Sequence, residues 1–212
     1  FLFVANSIKN KNRDFRVIEG NERVLKARLS DASYFFENDI SNTFKIWNQK
    51  LKHVLFYESL GSLHDKTIRM ANISLIFAKV FGVKSELAKQ AALLSKADLV
   101  SEMVMEFPEL QGIMGGHYAK IKNEHEEVTK AIFEHYKPKG VSDDLPETKL
   151  GSLLSMVDKI DTLVGFFSIG KKPTGSKDPF ALRRNSFSIA QILINFKINL
   201  SLNQILEPSL KE

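Results

Sequence analysis

Apolar positions recur along this chain at helical rather than strand spacing. Val24, Leu25, Leu29, Ala32, Phe35 and Phe36 form one stripe, with Arg23, Lys26 and Asp31 lying off it. A second helix is expected from Phe44 to Tyr57, turning Phe44, Trp47, Leu51, Val54 and Leu55 inward. A third is expected from Ser62 to Phe81. Ser62 followed by Asp65 reads as a variant capping box, and Gly82 as the stop. The fourth begins after Ser85, buries Leu87, Ala91 and Leu94, and ends before Pro108. Gly112, Gly115 and Gly116 then suggest an irregular connection. The fifth follows Asn123, with Val128, Ile132 and Tyr136 on one face, and a polar loop from Lys137 to Asp144 comes after it. The sixth covers Thr148 to Phe166. The last starts at Pro179 and reaches Phe196 or beyond, before a tail containing Pro208. No segment alternates convincingly, so the expected class is all-α.

The loop entering that last helix is rich in chemistry: Pro173-Thr174-Gly175-Ser176-Lys177-Asp178-Pro179-Phe180-Ala181-Leu182-Arg183-Arg184. Gly175-Ser176 supplies a turn. Asp178 can cap the free amides of the helix, and Pro179 suits its first position, where no N–H is needed. Arg183 and Arg184 place two fixed charges in the first two turns, an arrangement suited to phosphate or carboxylate recognition. The same residues also describe a well-capped surface helix with a solvated arginine pair.

Composition narrows the choice only slightly. The 212 residues are 43% hydrophobic and 26% charged, ordinary for a globular chain long enough for one large domain. Thirty Lys and Arg against 25 Asp and Glu give a formal charge of +5, which permits nucleic-acid contact without requiring it. Cysteine is absent, which removes disulfides, thiolate metal sites and a cysteine nucleophile together. No apolar run approaches a membrane span. Phe1-Leu2-Phe3-Val4-Ala5 is too short for a signal-peptide core, and there is no initiator Met, so the chain reads as a piece of a longer protein.

The Pro173–Arg184 string resembles a signature of the β subunit of bacterial tetrameric glycyl-tRNA synthetase. Three further stretches agree, in the right order. One runs from Val17 to Ala32, followed by Phe35-Phe36 and Asp39. Another is Ala97-Asp98-Leu99-Val100-Ser101-Glu102-Met103-Val104 with Glu106 to Gly112. The third is Leu145-Pro146-Glu147-Thr148 with Asp158 to Gly165. The resemblance implies a cytoplasmic complex of two α and two β chains that attaches glycine to its tRNA. ATP, with magnesium, is used at the α chain, and no cofactor is bound by this piece. The implied partners are the α chain, glycine tRNA, and the second β chain or other β domains, with no membrane. Alone, this piece would be inactive.

A second resemblance concerns the scaffold. His64, then Arg69 and a helical apolar run, then Ala91-Ala92-Leu93-Leu94, resembles the opening of HD-superfamily phosphohydrolases. That family needs a His, a His-Asp pair and a later Asp around a divalent metal. His64 shares a stripe with Ile68, Ala71, Leu75 and Ala78 and is expected to point inward, and Asp158 would be the late aspartate. Ser95-Lys96 stands where His-Asp belongs, and Lys96 brings a positive charge towards the place a cation should occupy. One His and one Asp do not normally hold a catalytic metal. The implied fold is an HD-like helical bundle with a degenerate metal site, His64, Ser95, Lys96 and Asp158 being its vestigial positions. It spans residues 59–200, preceded by linking helices over 1–58 and followed by a tail over 201–212.

His117, after the glycine pair, and His125 and His135, on a polar helix, are expected to be solvated or hydrogen-bonded surface residues. Asp158 and Asp161 are expected to pair with Lys96 or Lys159 rather than to do acid–base work. Candidate RNA contacts are Lys177, Arg183 and Arg184, then Arg23, Lys26 and Arg28. These last three can equally pair with Glu19, Glu22 and Asp31 on their own helix. Gly175-Ser176-Lys177 lacks the upstream glycine of a Walker loop. The resemblance to the synthetase β subunit therefore implies a non-catalytic tRNA-handling and structural module. The alternative is a metal-dependent phosphohydrolase acting on nucleotides or RNA ends.

Overall fold

The computed structural model describes residues 1–4, 11–140, 142–175 and 177–212, with side chains of the first helix described from Asp14 onward. Ten α-helices carry the described residues: α1 Lys11–Ser41, α2 Phe44–Lys50, α3 Leu63–Phe81, α4 Ser85–Leu94, α5 Glu102–Glu106, α6 Ile113–Ile121, α7 Glu126–Glu134, α8 Lys149–Ser168, α9 Leu182–Asn195 and α10 Leu202–Leu210. The expected all-α class holds, with one addition. The segment expected to finish the second helix leaves it after Lys50, makes a 3-10 turn over Leu51–His53, and forms a short strand Leu55–Tyr57. This strand pairs antiparallel with Gly61–Ser62 across a bulge. Gly61 takes φ 78°, and a Cβ there would meet the Asp65 carboxylate, so the turn needs glycine. The inward set Phe44, Trp47 and Leu51 is buried as expected, whereas Leu55 is exposed.

The architecture centres on α8. Every residue from Leu150 to Asp161 in it is buried, so no face of this stretch is left to solvent. α3, α7 and α9 pack around α8, α4 packs on α3, and α6 packs on α7. α3 begins with the expected box: Ser62 Oγ accepts from the Asp65 amide, and Asp65 accepts from the Ser62 amide. It ends at Gly82 in the left-handed region. Its inward stripe differs from the expected one. Lys66, Met70, Ile73, Phe77 and Phe81 face the core, while Ile68 and Leu75 are each 40% exposed.

Four other boundaries move. The fourth helix stops at Leu94, because Ser95 and Lys96 turn into a 3-10 segment Ala97–Val100 before the short α5. Gly115 and Gly116 lie inside α6 rather than in a loose connection. A Cβ on Gly116 would come within 2.3–2.5 Å of the Phe133 ring, so these glycines let α6 close on α7. The last long helix begins at Leu182, three residues later than expected, and the tail forms α10 with a capping box from Ser201 and Gln204. Pro208 lies inside that helix.

α1 changes character along its length. Ala32, Phe35 and Phe36 are half-buried against the core, but Val24 and Leu29 are 63% and 61% exposed. The expected single inward stripe therefore covers only the C-terminal part of this helix. Asp39, at its end, is buried. It accepts from the Glu102 and Met103 amides at 2.9 and 3.0 Å and from the Tyr118 hydroxyl at 2.7 Å, capping α5 from outside. Burial and this contact with Asp39 push the Tyr118 hydroxyl far above its ordinary pKa. Trp47, fully buried, packs against Tyr118 with ring centroids 5.0 Å apart and lies beneath the Lys122 ammonium.

Candidate functional site

A helix buried over three turns must satisfy its own polar side chains. On α8 these include Asp158, Lys159, Asp161 and Thr162. Asp158 and Asp161 are one turn apart and face α3. Lys66 on α3 enters between them, with Nζ 2.9 Å from Asp158 Oδ1, 3.0 Å from Asp161 Oδ2 and 2.9 Å from Thr162 Oγ1. Arg69, one turn on, holds Asp161 through Nε at 2.6 Å and Nη2 at 3.2 Å, and donates to the Leu60 carbonyl at 3.1 Å. Lys96, just past α4, donates to Asp158 Oδ2 at 2.7 Å and lies 3.9 Å from the Tyr136 ring centroid. Burial raises the Asp158 carboxyl, but the ammonium groups of Lys66 and Lys96 outweigh it and hold the group well below the usual carboxylate range.

This arrangement corrects the inward placing of His64 and, of the alternatives Lys96 or Lys159 for the aspartates, bears out Lys96. From α3 it is Lys66, not His64, that meets Asp158, and His64 is only half-buried at the helix start. Lys159 does not pair with the aspartates. It donates to Ser155 Oγ at 2.7 Å and to the Lys137 carbonyl at 3.1 Å. Burial lowers Lys159 to about 8, against the pull of Asp158. Lys96 pairs as expected, and Ser95 is buried with its hydroxyl on the Ala92 carbonyl at 2.9 Å. Among the described residues no three carboxylates or imidazoles converge in a way that would hold a metal ion.

The histidines divide. His117 is exposed, edge-on to Phe133, and His125 caps α7, its Nδ1 accepting from the Glu127 amide at 3.2 Å. His135 overturns its surface assignment: it is fully buried, with Nδ1 2.7 Å from the Ile132 carbonyl. Burial, with Lys96 adding to it, pushes its pKa well below the ordinary value, so it is neutral. Asp98 is also buried and accepts from the Gly112 and Gly115 amides at 2.6 and 3.0 Å. Burial raises its carboxyl to about 6 despite those bonds.

The basic candidates separate as well. Asp178 accepts from the Leu182 and Arg183 amides at 2.8 and 3.0 Å, as a cap should. It does so across a turn, because Ala181 takes φ 55° and Pro179-Phe180 precede the helix. That turn places Phe180 flat on Phe166, centroids 3.9 Å apart, beside Tyr57. Arg183 folds back, donating to the Thr174 carbonyl at 2.6 Å and more weakly to that of Gly175. Ser176, assigned to the turn with Gly175, lies outside the described residues. Arg184 and Lys177 are exposed and make no ion pair among the described residues. Arg184 lines a cleft of about 300 Å³ with Lys139, Asp158, Lys159, Thr162 and Asn185. On α1, Arg28 pairs with Glu106 and lies over the Phe107 ring, an ion pair to α5 rather than along its own helix. Arg23 and Lys26 remain exposed.

Lys66, Lys139 and Asn185 also belong to the site, beyond the residues expected from the sequence. Lys66 was detectable, since it shares the stripe of Met70, Ile73 and Phe77. Lys139 and Asn185 come to line one cleft only through the path of the loop after α7, which no local pattern encodes.

Comparison with known proteins agrees with the four collinear stretches. The family described as glycyl-tRNA synthetase beta subunit matches residues 1–212. The glycine–tRNA ligase beta subunit of Sulfurihydrogenibium sp. (strain YO3AOP1) is 46% identical over 208 residues, covering 98% of this chain and 30% of that protein. Those of Chromohalobacter salexigens and Acinetobacter baumannii are 45% and 43% identical, again over 30% of their length. The helical chain with its buried Lys–Asp cluster is thus similar to subunits of an aminoacyl-tRNA synthetase. It belongs to the glycyl-tRNA synthetase beta subunit family and spans about a third of the curated relatives it matches.

Proposed function

We propose that this chain is a structural and tRNA-handling part of a glycine–tRNA ligase β chain, supporting ATP-dependent attachment of glycine whose chemistry resides on an α chain. The observation that carries this reading is the state of Asp158. Both its oxygens are engaged by lysine ammonium groups, so the carboxylate on the central helix is neither a free base nor a free ligand. The family resemblance supplies the partners: the α chain, glycine tRNA, and a second β chain in an α2β2 assembly in the cytoplasm. Among the described residues no helix is long and apolar enough to cross a membrane.

In this reading the fold is an HD-like bundle in which Lys66 and Lys96 occupy the place of the hydrolase's cation. Magnesium-bound ATP does not fit the Asp158–Asp161 pair, since those carboxylates are already satisfied from α3 and α4. The phosphohydrolase alternative would need Asp158 as a ligand and finds it occupied. RNA contact falls to Arg184 and Lys177, with Arg23 and Lys26 next, all in phosphate-positioning roles. Arg183 and Arg28 serve the fold.

The test is glycine-tRNA binding by the complete enzyme across a salt series, with Lys177→Ala/Arg184→Ala beside the parent. Weaker binding and a shallower salt slope in the double variant support the reading. An unchanged affinity and slope remove these residues from the RNA surface. Metal content after chelator-free purification and hydrolysis of a 2′,3′-cyclic phosphate test the alternative.

A further inference from the structure

We infer that the cleft between α8, α9 and the loop after α7 is a metal-free subsite for a single phosphate group. Three cations, Lys139, Lys159 and Arg184, line it against one carboxylate, Asp158. Lys66 and Lys96 each hold one of its two oxygens, which weakens its competition for them. Its charge is more than offset there, so the cleft carries a net positive field in partly low-dielectric surroundings. Arg184 is the only arginine lining this cleft and is unpaired among the described residues, whereas the neighbouring Arg183 is clasped to its own loop. A guanidinium with a free fork matches two phosphate oxygens at once. Lys159 supplies a buried ammonium fixed by Ser155 and the Lys137 carbonyl, and Thr162 and Asn185 add neutral polar groups at the wall.

The volume, about 300 Å³, admits a phosphate with part of an attached sugar. The group can come from an RNA strand or from free phosphate, and both present the same oxygens. This subsite deepens the RNA-contact reading but does not require it, because phosphate recognition is measured separately.

The experiment uses the full-length β chain. Saturable binding of inorganic phosphate and of a 5′-phosphorylated RNA dinucleotide is measured by calorimetry for the parent, Arg184→Ala, Arg184→Lys and Lys139→Ala. Loss of a charge-assisted, forked contact predicts about tenfold weaker phosphate binding in Arg184→Ala, with partial recovery in Arg184→Lys. Arg184 is exposed, so an unchanged thermal unfolding profile shows that the loss is local. No saturable binding by the parent, or affinity in Arg184→Ala within about twofold of it, overturns the proposal. A parallel tRNA titration identifies the source: a joint loss points to RNA, and loss of inorganic phosphate alone points to the free anion. If tRNA binding proves independent of Arg184 while phosphate binding does not, Arg184 leaves the RNA surface and the subsite stands.

Discussion

Lys96 Nζ lies 2.7 Å from Asp158 Oδ2, and both side chains are almost wholly buried. The pair ties the end of α4 to the middle of α8, sixty-two residues away. Desolvating both charges is costly, and the attraction repays it only while both are present. Lys96→Ala should therefore destabilise the protein by about 1–3 kcal/mol, less than breaking an isolated buried pair, because Lys66 still holds Asp158 Oδ1. Lys96→Met with Asp158→Asn should recover part of that loss. Urea unfolding of the two single variants and the double variant reads the coupling directly.

The tight approach of α6 and α7 gives a second expectation. Gly116→Ala puts a Cβ against the Phe133 ring, whose nearest atom would be 2.3 Å away. Ring or backbone must shift, at a cost of about 1–3 kcal/mol. Adding Phe133→Leu should return some of the stability. A double variant no better than the sum of its parts would show that the ring is not the obstacle.

The two arginines of α9 should behave oppositely. Arg183→Ala frees the Thr174 carbonyl, and Asp178→Ala removes the acceptor for two helix amides. Loss of such a cap costs about 1 kcal/mol. Both changes should speed proteolytic cutting between α8 and α9. Arg184→Ala should leave that rate where it was.

Lys159 gives a pH expectation with a definite sign. Its folded pKa, about 8, lies below the ordinary 10.5. Below pH 8 the lysine is protonated folded and unfolded alike, and the burial penalty is fully present. Between about 8 and 10.5 the unfolded chain binds more protons, so this lysine's contribution to stability rises with pH. Lys159→Met should flatten that rise in unfolding curves taken from pH 7 to 10. A slope equal to the parent's would remove Lys159 as its source.

Much of the helical framework was legible because helix signals are local. Ser62, Asp65 and Gly82 mark the ends of α3 within the strand of sequence they terminate. Asp178 announced a cap, yet the helix starts later, because Phe180 is drawn onto Phe166 from another helix. Gly115 and Gly116 looked like loop residues because glycine disfavours helices. Here contact with Ile132 and Phe133 overrides propensity. His64 was placed inward by including Ile68 and Leu75 in its stripe. The true stripe is offset by two residues and carries Lys66, a residue type that rarely enters a core unpaired. The resemblance in four collinear stretches located the family correctly, but it could not separate Arg183 from Arg184. That distinction depends on where the Thr174 carbonyl points.

The chain holds a single tryptophan, Trp47, sealed between Phe44 and Tyr118 where α2 meets α6. Its indole is an intrinsic optical reporter for that junction. Emission from it registers loosening of the N-terminal helices against the body, without any label, because no second indole elsewhere in the 212 residues contributes to the signal.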